Sequence, residues 1–241
     1  MRHITLLLLF ITGIAYGQVT TEKEAFLMGT LDDYMGRNQM FTAKADSFYY
    51  QMVDIYFQSE YKLALFIDSL FKEEANDLCI RNNGAPKGIK LYSEELSGRI
   101  NEYFSYTPTN QTIGYGKDTL YIGLIKKDRF TTESQKLAFL AGIYLRYKVP
   151  ISNKIEKERF EHSFNKKAEP DIYWISIANS RSKAKICKDL LIEEGCSKVE
   201  YIIKSNYIPV GHHILFKPSE KVRKVIEEMD KIRNSIYKEE K

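Results

Sequence analysis

Apolar positions in the N-terminal part of the chain recur mainly at helical spacing. Thr21-Glu22-Lys23-Glu24 reads as a capping box, with a hydroxyl for the orphan amides and a carboxylate reaching back. Leu27, Met28, Leu31, Tyr34 and Met35 then follow a helical period. A longer helical stretch is predicted over about Thr42 to Ile80. Its stripe is Phe48, Met52, Ile55, Ser59, Leu63, Phe66 and Leu70, with a break near Ser59. Pairing a long and a short helix would bury both stripes. The cluster Asn82-Asn83-Gly84-Ala85-Pro86-Lys87-Gly88 interrupts any regular element. A short helix is predicted from Ser93 to about Phe104.

Beyond Thr107-Pro108-Thr109-Asn110, read as the start of a loop that ends at Gly114-Tyr115-Gly116, the period changes. Thr119 to Ile125 reads as a strand. Thr132-Glu133-Ser134-Gln135 opens a helix through Leu145, whose Ala141-Gly142 pair would allow close packing on a sheet. Residues 151–170 are rich in Lys and Glu and poor in apolar side chains, so a solvated helical insertion or flexible connector is expected. Asp171 to Ala178 alternates as a strand. A helix capped by Ser180 stops at Gly195, whose missing side chain suits a left-handed terminus. Strands follow near 198–204 and 210–216, then a final helix from Pro218-Ser219-Glu220 to about 237. Strand–helix–strand crossovers imply at least one parallel pair. The fold class expected is α/β or α+β, a helical N-terminal part followed by a small mixed sheet packed with helices. Residues 18–106 form the helical region and 107–241 the mixed α/β region.

The first 17 residues add a destination. Met1-Arg2-His3 is a short basic start, Ile4 to Ile14 an apolar run, and Ala15-Tyr16-Gly17 a small-residue ending before Gln18. That is the layout of a cleavable signal peptide. The run is about half of the roughly 20 residues a membrane span needs, so no stable anchor is expected after cleavage. The expected product is exported and soluble, periplasmic or extracellular. A net charge of +4 is too mild to argue for nucleic acid. With 44% hydrophobic and 28% charged residues, the chain reads as an ordinary globular protein. Three cysteines are too few for a disulfide-built scaffold, and Cys187 and Cys196 read as buried free thiols, a bridge between them being the alternative.

Candidate chemistry is sparse. Asn179, Ser180, Arg181, Ser182 and Lys183 lie between a strand and a helix, where free amides, hydroxyls and two cations could hold an anion. The competing reading is an ordinary Ser cap with solvated basic neighbours. His212 and His213 would point to opposite faces of a strand and cannot readily share a metal ion. His162 and Glu158 could meet on a helix but make too few ligands. No cysteine has a recognisable activating neighbour, and Gly-x-Ser-x-Gly is absent. Asp32-Asp33 and Glu227-Glu228 read as solvated charges. No cofactor is implied.

Tyr173-Trp174-Ile175-Ser176-Ile177, the Ser180–Glu194 helix, Gly195 and the Val199–Ile203 strand are similar in layout to a SPOR domain, the periplasmic module that binds peptidoglycan. The resemblance covers residues 171–237. It departs in lacking a closing strand after the last helix and in the sequence of the second strand pair. It is one of topology, and no binding residues are carried over. The function expected is non-catalytic binding or interaction, with a protein or envelope component as partner. The alternative is an envelope hydrolase whose site forms only in space.

Overall fold

The computed structural model describes residues 16–33, 36–39, 51–113, 118–206 and 208–237. Residues 1–15, and with them most of the expected signal peptide, lie outside it, as do Tyr34, Met35, Phe48 and Gly114 to Gly116. The described residues form seven α-helices and three antiparallel sheets, a mixed α+β fold.

Helix α1 (Tyr16–Thr30) begins five residues before the expected capping box, so Thr21 and Glu24 lie inside it. The Glu24 carboxylate does not reach back along the helix. It accepts hydrogen bonds from Arg99 Nε at 2.6 Å and Tyr103 Oη at 3.1 Å. Ala25, Phe26, Leu27 and Met28 are buried. Strand β1 (Arg37–Gln39) follows.

Of the long helical stretch expected over about Thr42 to Ile80, residues 42–50 lie outside the described residues, and the part from Met52 is instead β2 (Met52–Tyr56), a 3-10 turn and α2 (Tyr61–Phe71). The break does fall near Ser59. The stripe Met52, Ile55, Ser59 fits a helix, but Val53, Ile55 and Tyr56 favour an extended backbone, and a short apolar run does not reveal its period. Strands β3 (Cys79–Asn82) and β4 (Ile89–Tyr92) complete this sheet in the order β2-β4-β3, joined at the 82–88 breaker cluster. The N-terminal part therefore adds a sheet to its helices.

Helix α3 (Glu94–Asn101) is capped by Ser93, whose Oγ accepts from Leu96 N at 2.9 Å. It ends earlier than Phe104, where β5 (Phe104–Ile113) starts. The expected loop at Thr107–Asn110 is thus strand. β5 is an edge strand, in the order β1-β6-β5 with β6 (Asp118–Ile125), and an edge tolerates the missing amide of Pro108.

Helix α4 (Glu133–Tyr147) has the expected capping box at Thr132 and Gln135. Its Gly142 meets a helix, not a sheet. A Cβ built there would lie 2.1 Å from Phe26 O, and one at Gly29 2.2 Å from Phe139 O. The two glycines let α1 and α4 cross backbone to backbone.

The C-terminal elements match the sequence expectation within a residue or two. They are β8 (Tyr173–Ala178), α6 (Arg181–Glu193), β9 (Ser197–Lys204), β10 (Gly211–Lys217) and α7 (Glu220–Tyr237). Two short elements precede them, β7 (Lys148–Val149) and α5 (Lys154–Phe164). The sheet order is β7-β8-β10-β9. β8 and β9 run the same way, as a helical crossover requires, but β10 lies between them and is antiparallel to both. No adjacent strands among the described residues are parallel, contrary to the expected parallel pair. The edge beside β8 is taken by β7, with Val149 opposite Trp174, so an earlier segment fills the place of a closing strand.

One apolar core runs through both parts of the chain, from Leu27, Val53 and Ile67 to Phe139, Ile175, Leu190 and Met229. Cys187 and Cys196 are buried and unbridged, and burial pushes both thiols up. A second, smaller cluster of Phe160, Trp174 and Leu215 lies on the other face of the C-terminal sheet, under α5. Of the two alternatives for residues 151–170, the helical one holds over Lys154–Phe164, and the helix is docked through its apolar side rather than simply solvated. No helix of the described residues is long and apolar enough to cross a membrane.

Candidate functional site

The 179–183 loop is largely occupied from within. Ser180 is 3% exposed and Lys183 fully buried. Ser180 Oγ donates to Asp33 Oδ2 at 2.9 Å, and Lys183 Nζ pairs with Asp33 Oδ1 at 2.8 Å. Lys183 Nζ also donates to the Leu31 carbonyl and lies 5.4 Å from the Tyr147 ring centroid. An internal carboxylate thus sits where an external anion was expected. Asp33 is not a solvated charge, because it lies just beyond the end of α1 and turns into the core. Arg181 is exposed and Ser182 half-buried. Asn179 has a left-handed backbone (φ 50°), which Asn tolerates. Its amide donates to Val210 O at 2.9 Å and its Oδ1 accepts from Val210 N at 3.1 Å. This clamps the turn between β9 and β10.

A second buried polar group is also saturated. Arg146 uses all five N–H donors, on Glu60, Asp54 and the carbonyls of Thr30 and Ile55. Burial raises the Asp54 carboxyl, and the Arg146 charge works against that. The cluster joins α1, β2 and α4, and its donors are spent on the fold.

The open site lies on the outer face of the C-terminal sheet, a cavity of about 750 Å³. That is the size of a small-molecule site. Its floor is Ser176 and Ala178 on β8 with Gly211 and His213 on β10. These are register partners, Ser176 opposite His213 and Ala178 opposite Gly211. Along β8 the outward positions shrink from Trp174 to Ser176 to Ala178. Helix α5 covers the large end, and the small end is left hollow.

One wall is α5, with Arg159, His162 and Ser163. Its start is fixed by a capping box, Asn153 Oδ1 accepting from Glu156 N at 2.9 Å and Glu156 Oε2 from Asn153 N at 3.1 Å. Phe160 and Phe164, one turn apart, seat the helix edge-on against Trp174, with centroids at 6.0 and 5.1 Å. The other wall is Lys204, Ser205, Asn206 and Pro209, the turn that Asn179 clamps.

Trp174 is 3% exposed, and its Nε1 donates to His213 Nδ1 at 3.1 Å. Indole nitrogen can only donate, so Nδ1 is the acceptor and the neutral imidazole carries its proton on Nε2. Nε2 overhangs Gly211, where a Cβ would come within 2.7 Å of it. Burial, then the charges of Lys204, His212 and Arg159, push His213 down to about 4. Lys204 Nζ lies 4.8 Å from the Phe164 centroid, and the Arg159 guanidinium 5.8 Å from Trp174.

His212 points the other way, as the strand requires. It is buried, stacks on Tyr201, and shares a 2.8 Å hydrogen bond with the tyrosine hydroxyl through Nδ1. Among the described residues no group of three or more His, Cys, Asp or Glu is placed to hold a metal ion.

None of the residues 179–183 lines the groove, and the residues that do were not singled out together by sequence reasoning. The one signal present was the decreasing size of Trp174, Ser176 and Ala178 at period two. The walls come from segments that are distant along the chain. Comparison with known protein families, with curated proteins and with solved structures found no match.

Proposed function

We propose that this chain is an exported, non-catalytic binding protein whose ligand occupies the groove between α5 and the β9–β10 turn. Export rests on the layout of residues 1–17. Binding rests on a preformed hollow lined by polar groups and floored by small residues, the usual form of a small-molecule site.

One observation carries the non-catalytic reading: Trp174 Nε1 donates to His213 Nδ1. Ser176 and His213 are cross-strand neighbours and could be mistaken for a nucleophile and base. A base that takes a serine proton through Nε2 needs its own proton on Nδ1, held there by an acceptor. Here a donor faces Nδ1, which leaves Nε2 protonated. Among the described residues no carboxylate or thiol lines the groove to replace it.

The test is an amide NMR titration of residues 18–241 with soluble neutral and acidic saccharides, followed by mass analysis of the ligand. Saturable shifts at Ser176, Gly211 and His213 with ligand recovered intact are expected. Shifts confined to another face overturn the site. Cleaved ligand favours the envelope hydrolase instead.

A further inference from the structure

We infer that the ligand of this groove carries an oxyanion, a carboxylate or phosphate group, seated between Arg159, Lys204 and the Nε2–H of His213. The inference rests on the binding reading above and narrows it to a ligand class.

Three observations converge. The first is charge. Arg159 and Lys204 stand on opposite walls, and neither has a carboxylate partner among the described residues. Their fields meet at the floor, because both act on the His213 ring. Elsewhere the lysines of this sheet are paired, Lys148 with Asp230, Lys198 with Glu169 and Lys217 with Asp171. The groove is the place on that sheet where cations are left for a ligand.

The second is the absence of competing acceptors. Among the described residues no Asp or Glu lines the groove, so no carboxylate there competes for the cations or for the hydroxyls of Ser163, Ser176 and Ser205. A cationic ligand would find no counter-charge there.

The third is the fixed donor. With Nδ1 filled by Trp174, the neutral ring offers Nε2–H and no second acceptor. No protein acceptor takes Nε2–H among the described residues, and Gly211 keeps the space beside it open. Two cations and one neutral donor at the floor match a group with several acceptor oxygens. The cavity is large enough for a monosaccharide-sized body behind that group.

The experiment uses Trp174, the only tryptophan of the chain, as an in-place reporter of emission. Probes are glucose 6-phosphate, glucuronate, inorganic phosphate and glucose. Glucose 6-phosphate or glucuronate should give a saturable change below about 10 mM, and glucose none. The two acids separate a phosphate site from a carboxylate site, and inorganic phosphate shows whether the body contributes. Arg159→Gln and Lys204→Gln should each weaken binding by about tenfold or more, with thermal unfolding unchanged. Equal binding of glucose and the acids, or wild-type affinity in both variants, overturns the oxyanion assignment while leaving the groove as the site. No saturable binding of any anionic probe also overturns it. Ala178→Phe fills the exposed end of the groove without touching either cation. Full anion affinity in that variant overturns the groove itself.

Discussion

At the scale of single residues, burial and pairing decide what each charged group can do. Lys183 looks in sequence like a solvated cation beside a helix start. In the fold it is the counter-charge of Asp33 in the core. Removing one partner of a buried pair costs far more than removing both. Lys183→Met is therefore expected to destabilise the chain by about 3–5 kcal/mol, and the double variant with Asp33→Asn by clearly less. Urea unfolding of the three proteins checks this, and equal losses for single and double variants would count against the pair. His213 supplies a pH-dependent term. Its folded form stays neutral down to about 4, while an unfolded imidazole takes a proton near 6.5. The unfolded state then binds more protons across that window, so stability is full above it and falls as pH drops through it. The loss is about 1–2 kcal/mol after allowing for solvent at the half-buried ring. His212, also lowered by burial and by Arg181, adds in the same direction. Between pH 7 and pH 5 the urea midpoint should fall less in His213→Asn than in wild type, and an identical fall would refute the assignment.

At the scale of elements, the Thr132 capping box and the C-terminal strands carried through, whereas the Thr21 box fell inside α1 and the short apolar runs were misassigned. The capping box at Thr132 begins a helix because the threonine hydroxyl and the Gln135 side-chain carbonyl each accept from an orphan backbone amide nearby. The period-two strands near 173 and 211 hold because one face meets the main core and the other meets α5 and the groove. Val53 and Ile55 lie on a strand that sequence spacing assigned to a helix, since short apolar runs fit both periods. Pro108 looked like a loop marker until the edge position of β5 made its missing amide harmless. The α1–α4 crossing gives a prediction at this scale. Gly142→Ala places a methyl against the Phe26 carbonyl, which cannot move away without separating the helices. It should cost about 1–3 kcal/mol or more, whereas Gly98→Ala, in open space on α3, should not destabilise. Thermal melts of the two variants settle the comparison.

For the whole molecule, the first prediction is covalent: intact mass of the exported protein should correspond to a chain starting at Gln18. A secreted product that keeps residues 1–17 would contradict it. Cleavage there leaves the buried face of α1, from Ala25 to Leu31, in place. Sequence by itself determined the Thr132 cap, the strands near 119, 173, 198 and 211 with the helices between them, and the opposed faces of His212 and His213. These depend on neighbours within a few positions. Only the tertiary structure decided that β10 separates β8 from β9, that β7 fills the free edge, and that Asp33 claims Lys183. It alone assembled the groove, because Arg159, Trp174, Lys204 and His213 come from four separate elements. Local spacing carries no information about such meetings, which arise when a shared core forces distant strands into one sheet and leaves part of its outer face uncovered.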